Sequence, residues 1–292
     1  MKTPYIISNE NGWLKIGGTN GFSVFKTFDC GQCFRFDPAE DENFTHRVDG
    51  VAFGSLVSFA QRDGDDSIYI KTTEELFHSL WKNYLSLDTD YNAIDESIVG
   101  CLQGADRAHM ALATESSKGI RILRQEPWEA LCSFIVSQNN NIPRIKKIIN
   151  AMCAAYGEDR GGYYSFPTAE ALYMAGEDNI FALKTGFRAK YIYDAAKKVY
   201  TGELDLQKVM DADTYEEAAE LLMTVSGVGP KVAACALLFG FGRTDAFPVD
   251  VWIKRVIEKR FPNGLDHSVF GKNAGIAQQY LFYHERYVES DT

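Results

Sequence analysis

The sequence predicts an α+β protein in two parts, β-rich over residues 1–118 and α-helical over residues 119–292. Three observations predict it. Apolar and polar residues alternate with period two through roughly the first 115 positions. From residue 119 the apolar spacing changes to i, i+3, i+4. Within the helical part, two helices meet at the short turn Ser226-Gly227-Val228-Gly229. A chain of 292 residues is long enough for two ordinary cores.

In the first part, FSVFKTF (22–28), CFRF (33–36), HRVDGVAFGSLVSFAQ (46–61) and SIYIKT (67–72) read as strands between Gly, Asp and Asn turns. EELFHSLWKNYL (74–85) has helical spacing. In the second part, EPWEALCSFIVSQ places Trp128, Leu131, Cys132 and Ile135 on one face. PRIKKIINAMCAAYG does so with Ile145, Ile148, Ile149 and Met152, and RAKYIYDAAKKVY with Ile192, Ala195, Ala196 and Val199. TYEEAAELLMTV opens with Thr214 and Glu217, the spacing of a capping box. A last helix is expected over 275–287. No internal repeat or low-complexity linker interrupts this order.

Composition narrows the class. The chain is 46% hydrophobic and 24% charged, as in globular proteins. No apolar run is long enough to span a bilayer, and the opening MKTPYIISNENGW lacks the apolar core of a signal peptide. A cytoplasmic, nucleoid-associated protein is expected. The six cysteines are scattered and are expected to be thiols there. The close pair Cys30–Cys33 runs into a strand pattern rather than a helix, so CGQC reads as a Gly-Gln turn rather than a redox motif. The formal charge of −10 argues against nucleic acid. Basic residues nevertheless gather in RIKK (144–147), FRAK (187–190), KK (197–198) and KRVIEKR (254–260), leaving stripes that can meet phosphates.

The turn at 226–229 is the first candidate site. Its glycines permit positive φ and close backbone approach. Pro230 suits the first helical position. The free amides around Gly227 and Gly229 then form an anion site at a positive helix end. Lys231 sits in that first turn, where a cation opposes the helix dipole at a cost of a few tenths of a kcal/mol. A lysine there needs a task or is simply solvated. Asp250 follows Pro248, which imposes an extended approach, and is placed to cap the next helix. On that helix Trp252, Arg255 and Lys259 share one face, and Ile253, Val256 and Ile257 another. Cys235 lies one turn beyond Lys231, and Gln278 and Phe282 pair in the same way on the last helix. An amide beside an aromatic ring can read and stack a planar base.

SGVGPKVAACALLFG…PVDVW resembles the helix-hairpin-helix, Gly-Pro-Asp superfamily of DNA glycosylases. With CGQCFRF (30–36), GIRILRQEPWEALCSFIVSQNNNIPRI (119–145), FPTAEAL before TGFRAKY (185–191) and AGIAQQYLF (274–282), the likeness is to its eukaryotic-type 8-oxoguanine branch, in a bacterial member. It runs over nearly the whole chain.

The resemblance implies a twisted antiparallel sheet like half of a TATA-binding protein, followed by the helix-hairpin-helix domain. It implies a monomeric bifunctional glycosylase and apurinic-site lyase acting on double-stranded DNA with 8-oxoguanine opposite cytosine. Lys231 is implied as nucleophile and Asp250 as the essential carboxylate. The Gly31 carbonyl is implied to accept from N7–H of the oxidised base. Cys235 and Phe282 would sandwich that base and Gln278 would read its Watson–Crick edge. Asn139, Arg144 and Arg188 would hold the orphaned cytosine, with Phe187 as wedge. Gly227, Gly229, Trp252 and Arg255 would grip phosphates. No cofactor is implied for the chemistry. The carbonyls of Met223, Val225 and Val228 would hold a structural cation.

Two residues depart from the family's pattern. Trp252 stands where animal and yeast enzymes carry a histidine that touches phosphate, and Phe187 where they carry tyrosine. Relatives resembling endonuclease III bear four clustered C-terminal cysteines for an iron–sulfur cluster, and no cysteine follows Cys235 here. Relatives that act on alkylated bases lack the hairpin lysine. A non-catalytic hairpin protein would need neither Asp250 nor the base-pocket residues. The attacking lysine has to be neutral, whereas the ordinary lysine pKa is about 10.4. Burial lowers it and a nearby carboxylate raises it. An ammonium–thiolate pair of Lys231 with Cys235 is the second state open at this level.

Overall fold

The computed structural model describes residues 5–289. The expected outer limits, residues 1 and 292, and the first four residues of the opening stretch lie outside them.

A six-stranded antiparallel sheet comes first. Its strands are β1 (Ile6–Glu10), β2 (Trp13–Gly17), β3 (Phe36–Pro38), β4 (His46–Ala52), β5 (Ser55–Gln61) and β6 (Ile68–Ile70), in the order β1-β2-β6-β5-β4-β3. Alternation sets the register: Leu14 pairs with Ile70, Phe59 with Ile70, and Val48 with Phe59. One face thereby collects Leu14, Ile16, Phe36, Phe59 and Ile70 over Phe28, Phe77, Trp81 and Tyr84. Asn11 and Gly12, at φ 51° and 80°, join β1 to β2. This is the residue pair that a tight hairpin turn demands.

The α-helices of six residues or more are labelled in order. They are α1 (Val24–Asp29), α2 (Tyr91–Gly100), α3 (Gly104–Ser117), α4 (Pro127–Ser137), α5 (Ile142–Tyr156), α6 (Ala169–Ala175), α7 (Ala189–Tyr200), α8 (Tyr215–Met223), α9 (Pro230–Gly240), α10 (Val251–Arg260) and α11 (Ala274–Tyr283). The faces expected for α4, α5 and α7 are the buried ones, except that Trp128 and Val199 are only partly covered. Thr214 accepts from the Glu217 amide, but the Glu217 carboxylate returns to the Asp213 amide rather than to that of Thr214.

Three expectations are corrected, the first being CFRF, of which only Phe36 lies in a strand, at the start of β3. FSVFKTF is α1, not a strand. Ser23 caps it by accepting from the Lys26 amide, and its buried residues Val24, Thr27 and Phe28 have helical spacing. Residues 91–117 are helices α2 and α3, so the β character ends at Ile70 rather than near residue 115. Ile98, Met110 and Ala113 bury themselves in the helical core with Ile120, Leu131 and Leu281. The two cores therefore do not divide at 118/119. α3 packs on α11, and α2 on α3 and on residues 267–273, so both depend on segments far along the chain.

α9 is buried on every side from Val232 to Gly240. At its C-terminal end a Cβ on Gly240 would stand 2.6 Å from the Ala130 Cβ and 3.3 Å from Pro127. Gly240→Ala is expected to lower stability by about 1–3 kcal/mol, overpacking outweighing the helix propensity gained. Urea unfolding followed by circular dichroism checks this.

Candidate active site

The hairpin between α8 and α9 is shaped from below by α7. Gly227 has φ 77°, and a Cβ on it would lie 2.4 Å from the Tyr191 ring. The turn amide of Ser226 donates to Asp194 at 2.7 Å, and Lys198 donates to the Thr224 carbonyl. Tyr191, Asp194 and Lys198 fall on one face of α7. Gly229 is the N-cap of α9 and supplies no side-chain cap, so the first amides of α9 stay free of one. Lys231 enters there, half-buried, while Cys235 one turn on is buried.

Asp250 caps α10. Its Oδ1 accepts from the Ile253 amide at 2.8 Å. Among the described residues nothing donates to its Oδ2. Capping thus leaves half of the carboxylate for other work.

Two cavities meet at these side chains. The first, of about 80 Å³, is lined by Gly31, Phe134, Cys235, Gln278 and Phe282 together with Lys231 and Asp250. The second is an open groove of about 610 Å³ lined by Asn139, Gly227, Gly229 and Trp252, again with Lys231 and Asp250. Lys231 and Asp250 are the two residues common to both. A further cavity of about 550 Å³, between the 86–97 segment and residues 272–276, contains none of the expected site residues.

In the small pocket, the Gln278 side chain is 5% exposed and its Oε1 is buried with no donor. A buried amide oxygen left without a partner costs roughly 1–3 kcal/mol, which a bound donor would return. Phe282 is backed by Arg286, whose guanidinium lies 5.6 Å from the ring centroid. Gly31, at φ 78°, lies within reach of the Phe282 ring edge. Phe134 and Phe239 stack at 5.3 Å and close the pocket floor. These two rings, with Cys30, Pro248, Gln279 and Arg286, were not read from the sequence. They carry no local signal, being ordinary apolar or polar positions until the helices meet.

The remaining expected residues are divided. Asn139 has φ 47° and sits on the groove wall. Arg144 is exposed and does not line the groove. Arg188 is buried and faces inward, donating through Nε to the Gln138 carbonyl at 2.8 Å and through Nη2 to those of Gln138 and Asn139. Burial and the neighbouring Arg144 hold its pKa below the ordinary arginine value. Phe187 is 48% exposed, under the Arg188 guanidinium at 4.4 Å. Arg255 stands over the Trp252 ring at 5.4 Å, outside the groove lining.

Burial pushes the Cys235 thiol from an ordinary 9.0 up to about 11, with Lys231 acting in the opposite direction and Asp250 reinforcing the rise. Burial thus favours the neutral Cys235 thiol over the thiolate.

A hairpin feeding its second helix into a pocket beside a capping aspartate defines a base-excision repair protein of the helix-hairpin-helix, Gly-Pro-Asp class. Residues 132–265 match that superfamily, and residues 15–131 match the 8-oxoguanine DNA glycosylase N-terminal domain. The chain belongs to the 8-oxoguanine DNA glycosylase family. It is 41% identical over 166 residues to the Saccharomyces cerevisiae N-glycosylase/DNA lyase, 52% of this chain and 44% of the yeast protein. It is 30% identical over 250 residues to the Arabidopsis thaliana N-glycosylase/DNA lyase OGG1, 77% of this chain and 63% of that one. The chain thus spans less than two thirds of either. The Clostridium acetobutylicum 8-oxoguanine glycosylase/lyase, solved with double-stranded DNA containing cytosine opposite 8-oxoguanine, is 35% identical. It superposes with a TM-score of 0.85 over 100% of both chains. Among the described residues no helix is long and apolar enough to cross a membrane.

The sign of the Cys235 shift makes a prediction. Its folded pKa lies above its unfolded one, so the stability it contributes is complete below pH 9 and is lost as pH rises to about 11. Unfolding free energies measured from pH 8 to 10.5 are expected to fall more for the wild type than for Cys235→Ala.

Proposed function

We propose that the protein is a glycosylase and abasic-site lyase that removes 8-oxoguanine opposite cytosine, acting as a monomer on nucleoid DNA. One observation carries the reading. Lys231 and Asp250 alone border both the small pocket and the open groove. A nucleotide whose base enters the pocket and whose backbone stays in the groove must pass its sugar between them.

A base inside a duplex is out of reach, so it is extruded at a cost of a few kcal/mol. The hairpin amides at Gly227 and Gly229 and the Trp252 side of α10 hold phosphates, and exposed Phe187 fills the gap. The flipped base lies between Phe282 and Cys235. Its Watson–Crick edge supplies the donor that Gln278 Oε1 lacks, and the Gly31 carbonyl accepts from N7–H. Arg144 is free to reach the orphaned cytosine. Arg188 holds the Gln138 and Asn139 carbonyls, keeps Asn139 on the groove wall, and turns to the cytosine only by releasing them.

As the glycosidic bond breaks, positive charge grows on the sugar, and the uncommitted oxygen of Asp250 stabilises it. The neutral Lys231 amine forms a bond to C1′ as the base departs with the bonding pair and a proton, and the C1′–O4′ bond then opens, O4′ taking a proton, to leave an imine. The resulting imine acidifies C2′–H, and loss of that proton expels the 3′ phosphate. A cation at the Met223, Val225 and Val228 carbonyls fits an all-oxygen, uncharged donor set. The Val225 carbonyl already accepts from Val228 and keeps a second lone pair. Bound there, the cation would add positive charge beside a phosphate.

Borohydride trapping on duplexes with 8-oxoguanine opposite each of the four bases tests the reading. A covalent product is expected with the wild type, strongest opposite cytosine, and none with Lys231→Gln. Absence of product on all four duplexes would remove the Schiff base, and equal trapping on all four would remove the roles of Arg144 and Arg188. Asn caps helices about as well as Asp, so Asp250→Asn is expected to keep its melting temperature. It is expected to lose about 100-fold or more in excision rate, measured by single-turnover kinetics.

A further inference from the structure

The loop carrying Gly31 is tied down by three glutamines from three parts of the chain. Gln279, 3% exposed on α11, donates from Nε2 to the Cys30 carbonyl at 3.0 Å. Gln125 donates from Nε2 to the Gln32 carbonyl at 2.7 Å. The Gln32 side chain is fully buried and donates to the Thr27 and Arg121 carbonyls, both at 2.8 Å, while its Oε1 accepts from the Leu123 amide at 2.8 Å. The peptides on either side of the Gly31–Gln32 peptide are thus both held. The peptide between them carries the Gly31 carbonyl, which accepts no hydrogen bond among the described residues. Gly31 itself lines the pocket.

We propose that Gln279 and Gln125 are positioning residues for base discrimination, which with Gln32 hold both ends of the Gly31–Gln32 peptide at the pocket. This rests on the Gly31 carbonyl being the base contact assigned above. 8-Oxoguanine presents an N7–H donor, whereas guanine presents an N7 lone pair. A carbonyl held close to N7 attracts the first and repels the second. Gly31 has no side chain to wedge the loop against its neighbours, so the loop alone does not hold that peptide in place. Moving either flanking plane would break a buried hydrogen bond, and moving Gln32 would break three. Because Gln279 adjoins Gln278 on α11, one helix carries both the reader of the base edge and the tie on the Cys30 carbonyl beside Gly31.

The test compares two activities of one protein. An abasic duplex offers no base to recognise, so nicking it needs Lys231 but not the held carbonyl. Gln279→Met keeps the side-chain length and removes the donor. It is expected to lower 8-oxoguanine excision about tenfold relative to abasic-site nicking. In the Lys231→Gln background it is expected to narrow the affinity ratio between 8-oxoguanine·C and guanine·C duplexes by a similar factor. The half-buried Gln125→Ala should show the same pattern should Gln279→Met not fold. Unchanged ratios in a folded variant, or excision and nicking falling together, would overturn the proposal. A wild type that nicks abasic DNA but leaves 8-oxoguanine would instead overturn the assignment of Gly31 on which it rests.

Discussion

α9 can meet solvent only at its first turn. Every residue from Val232 to Gly240 is buried, with Leu237, Leu238 and Phe239 each contributing on the order of 2 kcal/mol through burial. A helix enclosed in this way is fixed along its axis by α4 at one end and by the hairpin at the other. Whatever occupies its mouth is held as firmly as the core. Lys231 is that residue. The few tenths of a kcal/mol it forfeits against the helix dipole are small beside the burial that orients it. Cys235, facing the pocket one turn deeper, is positioned by the same enclosure.

The rest of the site follows from how other elements reach this helix. α7 sets the hairpin's height through Tyr191 beneath Gly227 and Asp194 at the Ser226 amide. α10 begins where Asp250 caps it, so the carboxylate's position depends on a helix terminus rather than on a flexible loop. The sheet domain contributes through the 30–33 loop, which is bonded to α11 at Cys30 and to the 121–125 strand of chain at Gln32. The pocket is thus assembled across both cores, and neither core contains it alone.

Charge is arranged on the same plan. Several cations in the basic stretches are engaged within the protein. Lys146 binds Asp37 and the Phe36 carbonyl, Lys198 binds Asp194 and Glu203, and Arg188 binds loop carbonyls. Lys254 lines the groove, and Arg144, Lys190 and Arg255 are exposed outside that lining. A chain of charge −10 therefore presents a local positive rim with few cations, consistent with a surface for phosphates set within a net acidic molecule.

The helix faces of α4, α5, α7 and α10, the cap at Asp250 and the hairpin amides were legible in the sequence, since each depends on neighbours within a turn or two. Period alone misread FSVFKTF, because an alternating heptapeptide with a Ser cap also carries a helical face at Val24, Thr27 and Phe28. The Asn-Gly turn at 11–12 was available as a signal and passed unread. By itself the sequence determined that a lysine would stand in the first turn of an apolar helix and an aspartate at the start of the next. Only the tertiary structure decided that these two would share one boundary between pocket and groove. It also decided that Arg188 would turn inward, that burial would disfavour a Cys235 thiolate, and that the peptides flanking Gly31–Gln32 would be tied to distant glutamines. Those outcomes depend on contacts between residues up to 249 positions apart, which local spacing cannot encode.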